Sequence, residues 1–401
     1  MPIRLIAFFF LLFLIFAYTC LKLGHIAHFK KRGKILLWTV VGGFFFLSMG
    51  WQFIYRLGAD LESPFIQSYF WISAVAMAVL ATFLTLAIPF DMIVLFDKSI
   101  RHAYRFILKK IFHIEKEKKI NYERRKFIAS SVTLGLVGVS GGISALGVRE
   151  ALKGPQIYNN TIVVDNLHPG LDGFKIAQIS DLHVGPIILK PDVQEVVKKV
   201  NALNPDIIMV TGDLGDGRII DLRKHLEPLA DLKSPHGTFF VTGNHEYYWN
   251  VTDWINEAKR LKMSPLINEN DYLSHNGALV LVGGVTDTTG GNFLKSHKHD
   301  PFLAIEAEKK VDFKMLLAHR PNSCYEAQQA GWNLQLSGHT HGGQFFPWNL
   351  YMPLVYRYYK GLHKHKNMHL YINSGTGYWG PPHRFAIPSE ITLLTLKRKT
   401  S

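Results

Sequence analysis

Four apolar runs fill the first 150 of this chain's 401 residues, and they leave that region few ways to fold. They cover residues 3–23, 35–55, 69–90 and 127–148. About 20 consecutive apolar residues cross a bilayer core as a helix. Lipid offers the backbone no hydrogen-bond partner, so runs of this length predict helices that satisfy their own N–H and C=O groups. The first three are dense in Phe, Leu, Ile and Val. The fourth is rich in Gly, Ser and Ala and suits an export signal or a marginal span better than a lipid-facing helix. Residues 1–150 therefore read as an all-α transmembrane anchor of three to four helices.

The charge pattern sets an orientation. The formal net charge is +14, which on its own suggests an anionic partner. Yet residues 1–155 carry 20 Lys and Arg against 8 Asp and Glu, while the rest carries 25 against 23. The excess belongs to the anchor, and no nucleic acid is expected as a partner. Lys30, Lys31, Arg32 and Lys34 lie between the first two runs. Lys98, Arg101, Arg105, Lys109, Lys110, Lys116, Lys118, Lys119, Arg124, Arg125 and Lys126 lie between the last two. The connection between the second and third runs has Asp60 and Glu62 and no lysine. Positive loops stay cytoplasmic, so everything after about Arg149 is expected on the external, periplasmic or extracytoplasmic side. Arg124-Arg125-Lys126-Phe127-Ile128 also fits a twin-arginine export signal placed internally, the other reading being a basic stop before a span. Both leave the C-terminal region outside.

From Thr161 the pattern changes to short β-branched runs ending in Gly or Asp, at 161–164, 174–179, 206–210, 238–241, 278–282, 313–317, 334–336, 369–372 and 390–396. Helical stretches such as 190–203 and 252–261 fall between them. Alternating strands and helices predict a layered α/β domain over 151–401. The two cysteines, Cys20 and Cys324, give neither a disulfide framework nor a zinc motif and read as unpaired buried thiols.

Five motifs follow one another through this domain, most of them just after a strand. They are Ser180-Asp181-Leu182-His183, Thr211-Gly212-Asp213-Leu214, Gly243-Asn244-His245-Glu246, Ala318-His319-Arg320 and Ser337-Gly338-His339-Thr340-His341-Gly342-Gly343. Loops at the C-terminal ends of strands are where α/β sheets place their sites. Carboxylate, imidazole and amide donors suit two divalent ions of Mn, Fe or Zn; calcium prefers oxygen alone. Two ions about 3.5–4 Å apart share a bridging ligand, acidify a bridging water and clamp a phosphoryl group. Each motif alone is weak, since Asp-x-His caps helices and Gly-Asp makes turns. The ordered set of five is specific.

That set resembles the calcineurin-like metallophosphoesterase superfamily over residues 158–398. The resemblance implies a four-layer α/β/β/α sandwich and a metal-dependent phosphoesterase using a metal-bridging hydroxide. It implies a first metal on Asp181, His183 and His341, a second on Asn244, His319 and His339, and Asp213 between them. His245 would be catalytic, contacting the phosphoryl oxygen or protonating the leaving group. Finer stretches, including Asn268-Glu269, Gly284-Val285-Thr286-Asp287 and Ser374-Gly375-Thr376-Gly377-Tyr378-Trp379-Gly380-Pro381-Pro382, are similar to the YkuE/YaeI-type membrane-associated phosphodiesterases. The three-span region is a departure from the compact bacterial members. It resembles vertebrate transmembrane proteins with a metallophosphoesterase domain.

Around the cage, Arg320 and Arg384 are expected to bind substrate phosphate, with surface or structural roles as the alternative. Glu246 and Asp287 are expected to hydrogen-bond ligand histidines. The aromatic stretch 345–352 and the basic, tyrosine-rich residues after it suit either a membrane interface or a packed lid. The expected substrate is a phosphodiester or phosphomonoester, lipid-linked ones included, with membrane lipid as the other partner and no protein partner. Two alternatives stay open: a hydrolase of a UDP-diacylglucosamine-type lipid diphosphate, and a non-enzymatic metal-binding membrane protein.

Overall fold

A computed structural model describes residues 3–24, 31–112 and 121–399; Lys30, Lys116, Lys118 and Lys119 lie outside the described residues. The chain divides into two compact units, one of residues 1–57 and 71–146, the other of 58–70 and 147–401.

The first unit is built on four helices, α1 (Ile3–Leu23), α2 (Lys31–Arg56), α3 (Pro64–Phe112) and α4 (Tyr122–Leu152). Three of them, α2 to α4, are long and apolar enough to cross a membrane. The helix α3 overruns its expected end at Phe90 by more than twenty residues. At 1.5 Å per residue its 49 residues measure about 74 Å, against about 30 Å of bilayer hydrocarbon. No glycine, asparagine or further proline interrupts 91–112, so the helix continues past Pro89. Arg101, Arg105, Lys109 and Lys110 thus sit on a helix and not in a loop. Lys22, inside the first apolar run, and Asp91, just past the third, form an ion pair that Tyr18 Oη joins by donating to Asp91 at 2.9 Å. Pairing of this kind keeps an intramembrane charge from standing alone.

The second unit holds two six-stranded sheets. The first contains β1 (Gln156–Val164), β2 (Lys175–Ile179), β3 (Ile207–Val210), β4 (Thr238–Phe240), β5 (Met263–Pro265) and β12 (Glu390–Arg398), in the order β1-β12-β2-β3-β4-β5. The second contains β6 (Glu269–His275), β7 (Ala278–Gly284), β8 (Phe313–Leu317), β9 (Leu334–Ser337), β10 (Gly361–His365) and β11 (Met368–Ile372), in the order β10-β11-β9-β8-β7-β6. The sheets face each other across one core. Ile176, Ile207, Met209, Phe239, Leu394 and Leu396 from the first meet Val280, Val282, Phe313, Met315, Leu317 and Leu336 from the second. Side chains alternate along a strand. Accordingly, Leu281, Leu316 and Leu370 point away from that core, onto Cys324 and Ala327 of α9 (Cys324–Ala330) and onto Trp332. Helices α5 (Lys190–Ala202), α6 (Ile219–Leu226), α7 (Asn244–Tyr248) and α8 (Val251–Arg260) follow strands of the first sheet, with Val193, Val196, Leu222 and Trp254 buried beneath them. This is the expected mixed α/β architecture of sheets with helices. A further helix, α10 (Trp348–Val355), follows the fifth motif.

Strands β2, β3 and β4 run parallel to one another, as do β7, β8, β9 and β11. Each parallel set gathers the carboxyl ends of its strands on one edge, and the five motifs follow β2, β3, β4, β8 and β9.

Candidate metal centre

Two loops zip together first. The main-chain N–H groups of Asp181, His183 and Val184 donate to the carbonyls of Gly212, Asp213 and Leu214, and Asp216 N–H returns one to Val184. Glu246, fully buried, then fastens the third loop to the second. Its carboxylate accepts from the N–H of Gly243 (2.7 Å), Leu214 (2.7 Å) and Asp213 (3.1 Å). Burial and the nearby Asp213 carboxylate push the Glu246 pKa up to about 7. The last loop closes on the first: His339 N–H donates to both oxygens of Asp181 at 3.0 Å. At Gly338 a Cβ would overlap Ser180 Oγ and Asp181 Oδ2, so no larger residue fits there.

Asp181, His183, Asp213, His339 and His341 all have left-handed backbones, with φ between +49° and +69°. Non-glycine residues seldom adopt this region, and such strain clusters at functional sites. Here it aims five side chains, from the first, second and fifth motifs, at one volume.

Three groups of side chains converge there: Asp181 with His183 and His341; His183 with Asp213 and His245; and Asp213 with His319 and His339. Donor atoms within each group lie within 4.8 Å of one another. Asp213 Oδ2 faces three imidazoles, at 3.2 Å from His319 Nε2 and 3.9 Å from both His183 Nε2 and His245 Nε2. That oxygen is common to the two ends of the cluster.

The donor set fits a metal on a specific observation. His319 Nδ1 gives its proton to the Thr211 carbonyl at 2.7 Å, so the neutral ring presents a bare lone pair at Nε2. This buried atom has no hydrogen-bond partner and points at the Asp213 carboxylate. Two lone pairs facing each other require positive charge between them, either a proton or a cation. Burial opposes charging His319, but Asp213 and Asp181 outweigh it and push its pKa up to about 10. At the other end His183 Nδ1 donates to Asp216 at 3.0 Å, which leaves Nε2 an acceptor facing the cluster. His341 differs. Arg384, a pure donor, approaches its Nδ1 at 3.1 Å, which puts the neutral ring's proton on Nε2, 3.0 Å from His183 Nε2. Ligation through that atom requires the proton to leave. His339 and His341 are neutral at physiological pH. Burial, with the charge of His319 and Arg320 next, lowers His339 to about 3, and burial with Arg384 lowers His341 to about 4. Burial would raise Asp181 and Asp213, but the surrounding imidazoles reverse this and hold both well below the usual carboxylate range.

His245 lies beside the cluster. Its N–H donates to Asp213 Oδ1 at 2.9 Å and its Nδ1 pairs with Asp216 Oδ1. Burial disfavours its charge, but Asp216 and Asp213 push it up to about 9, so the ring carries a proton toward the site. The two oxygens of Asp216 therefore orient His183 and His245 at once. Sequence reasoning passed over Asp216; its signal was a second aspartate three residues after Asp213, in Gly-Asp-Leu-Gly-Asp.

Other expectations change. Glu246 and Asp287 reach no ligand histidine: Glu246 binds main-chain N–H groups, and Asp287 binds Arg320 Nε at 2.7 Å and Thr289 N–H at 2.8 Å. Arg320 is partly exposed at the rim and reaches Asn244 Oδ1 at 3.3 Å. Arg384 is not brought to the open face. It is fully buried and donates to the carbonyls of Ser374 (2.6 Å), His341 (3.2 Å), Gly375 (3.3 Å) and Gly377. For Arg384 the structural alternative holds, since its guanidinium is taken up by main-chain carbonyls. Cys20 and Cys324 are free and buried, as expected.

Histidines and carboxylates gathered at the strand ends of a two-sheet α/β sandwich form a candidate metal centre. The comparisons agree. Residues 174–343 match the calcineurin-like phosphoesterase family model. The chain is 35% identical over 321 residues to an uncharacterized metallophosphoesterase of Helicobacter pylori, covering 79% of this chain and 82% of that one. It is 36% identical over 267 residues to the Bos taurus transmembrane protein with metallophosphoesterase domain, covering 64% and 60%. It is 30% identical over 253 residues to the uncharacterized metallophosphoesterase YkuE of Bacillus subtilis, covering 60% and 85%. The chain belongs to the calcineurin-like metallophosphoesterase family, which makes it a phosphoester hydrolase by family.

Proposed function

We propose that this chain is a membrane-anchored phosphoesterase that uses two divalent ions of Mn, Fe or Zn on the external side of a membrane. The observation that carries it is the pair of histidine lone pairs, His319 Nε2 and His183 Nε2, aimed into a cluster that shares one Asp213 oxygen. Asp181, His183 and His341 would hold one ion, Asn244, His319 and His339 the other, with Asp213 between. Bound there, the ions supply Lewis-acid stabilisation of a phosphoryl group and acidify water. The protein's own groups do the rest. Asp216 holds His245 with its Nε2 proton turned toward the cluster, where it can pass to a departing alkoxide. Arg320, braced by Asp287, offers its guanidinium to a phosphate at the rim.

Sidedness follows from charge and is supported by a contact. Glu62, in the lysine-free connection between α2 and α3, pairs with Lys224 of α6 at 2.9 Å. That connection and the α/β domain belong to one compact unit, which supports reading both on the side that the positive-inside rule would make external. Arg124 and Arg125, in the first turns of α4, suit the export reading. Retention of α4 is favoured, because Gly147 O accepts from Arg384 N–H inside the α/β unit. The substrate class we favour is a phosphodiester or phosphomonoester drawn from the membrane, diphosphates included.

The test uses the purified full chain with Mn and bis(p-nitrophenyl) phosphate. Metal-dependent turnover that Asp213→Ala abolishes is the expected result. Equal, slow hydrolysis by both proteins would reduce the chain to a non-enzymatic metal binder.

A further inference from the structure

The helix that follows the metal loop is apolar and uncovered. Trp348 is 53% exposed, Leu350 63%, Leu354 81% and Val355 70%. A soluble domain rarely presents such a patch without a partner. The helix is not a loose appendage. Asn349 N–H donates to Phe345 O at 3.1 Å, and at Gly343 a Cβ would meet Asn349 Cα at 2.5 Å. It is therefore seated on the loop that carries His339 and His341.

Its charge surroundings select the occupant. Residues 345–366 contain no Asp or Glu, and they contain Arg357, Lys360, Lys364 and Lys366. Arg357 and Lys360 are exposed and lie over the rings of Tyr358 and Tyr359. An apolar face with tyrosines, a tryptophan and cations beside it is the composition of a helix lying in a bilayer interface. In a two-fold dimer formed through this face, the same cations would meet one another. The tether agrees: residues 153–155 alone separate α4 from β1, a reach of about 10 Å.

We infer that α10 docks on the anionic lipid surface of the membrane in which the chain is anchored, next to the metal loop. This rests on the membrane anchoring proposed above and deepens the choice of substrate: a phosphoester headgroup lying in the same leaflet would reach the site without leaving the interface.

The experiment uses the full chain in liposomes, with Cys20→Ala and Cys324→Ala as background and a nitroxide on Leu354→Cys. Liposomes are pure phosphatidylcholine or phosphatidylcholine doped with phosphatidylglycerol. In the doped liposomes the label should collide severalfold more with oxygen than with a water-soluble nickel chelate. Arg357→Glu with Lys360→Glu should restore chelate access. Hydrolysis of soluble bis(p-nitrophenyl) phosphate, expected unchanged, shows that each variant is folded and keeps this test separate from the enzyme reading. A label freely accessible to the chelate in both liposomes would overturn the inference. So would spin–spin broadening, which would mean that a second copy covers the helix.

Discussion

Replacing Asp216 by asparagine tests the centre at its least obvious point. The carboxylate accepts from His183 Nδ1 at 3.0 Å and pairs with His245 Nδ1 through its other oxygen. Asparagine keeps the shape but offers one acceptor and one donor. Whichever ring faces the new NH2 group must turn its Nδ1 lone pair toward it. That moves the ring's proton to Nε2. If the ring is His183, a metal ligand is lost. If it is His245, the ring is held neutral and loses its charge partner. A hydrogen bond to a charged group contributes about 1.5–3 kcal/mol, and each 1.36 kcal/mol is tenfold in rate.

Asp216→Asn should therefore lower either Mn affinity or kcat about 10–100-fold, the range expected for a residue that orients a ligand. Asp216→Ala should lower both. Calorimetric Mn titration and bis(p-nitrophenyl) phosphate kinetics across pH separate the two losses. Losing the Asp216 charge also lowers the His245 pKa from about 9, so the alkaline fall in kcat should move to lower pH. Wild-type Mn affinity and an unmoved alkaline limb in both variants would refute the orienting role and leave Asp216 a bystander.

Other consequences are direct. At Gly147 an added Cβ would lie 2.6 Å from the buried His383 Nε2; Gly147→Ala should destabilise by about 1–3 kcal/mol, read as a lowered thermal midpoint. Arg384→Met orphans main-chain carbonyls at Ser374 and Gly377, each worth about 1–3 kcal/mol, and should lower the thermal midpoint. Metal binding must displace the proton of His319, whose pKa is about 10 without metal, so Mn affinity should fall as pH falls; calorimetry in buffers of different ionisation enthalpy counts the protons released.

Much of the fold was legible because its signals are local. The run at 3–23 coincides with α1, and nine β-branched runs fall on nine strands. Three strands were missed, for physical reasons. The strand β5 is three residues ending in proline, β6 is polar, and β10 has one leucine among glycine, histidine and lysine; β5, β6 and β10 are all edge strands. An edge strand buries little and so carries a weak apolar pattern. The end of α3 was missed because charge, which marks the cytoplasmic side, does not also mark where a helix stops.

The residues that cluster at the candidate centre could be read, while the groups that hold them could not, and the difference is chemical. A metal demands particular side chains, so Asp-x-His and Gly-His-Thr-His carry their meaning in residue type. Supporting groups act largely on the main chain, which every residue shares. Glu246 satisfies three N–H groups across two loops, and Arg384 satisfies carbonyls from four residues. Neither leaves a pattern at its targets. Asp181, His183, Asp213, His339 and His341 show why such support is needed: each backbone sits in an unfavourable region that only surrounding structure can maintain. Arg384 adds something residue type alone could not convey. Its N–H takes Gly147 O from the last turns of α4, and its guanidinium takes His341 O and Nδ1. One residue thus meets both Gly147 and the loop of His339 and His341, its main-chain N–H holding the first and its guanidinium the second.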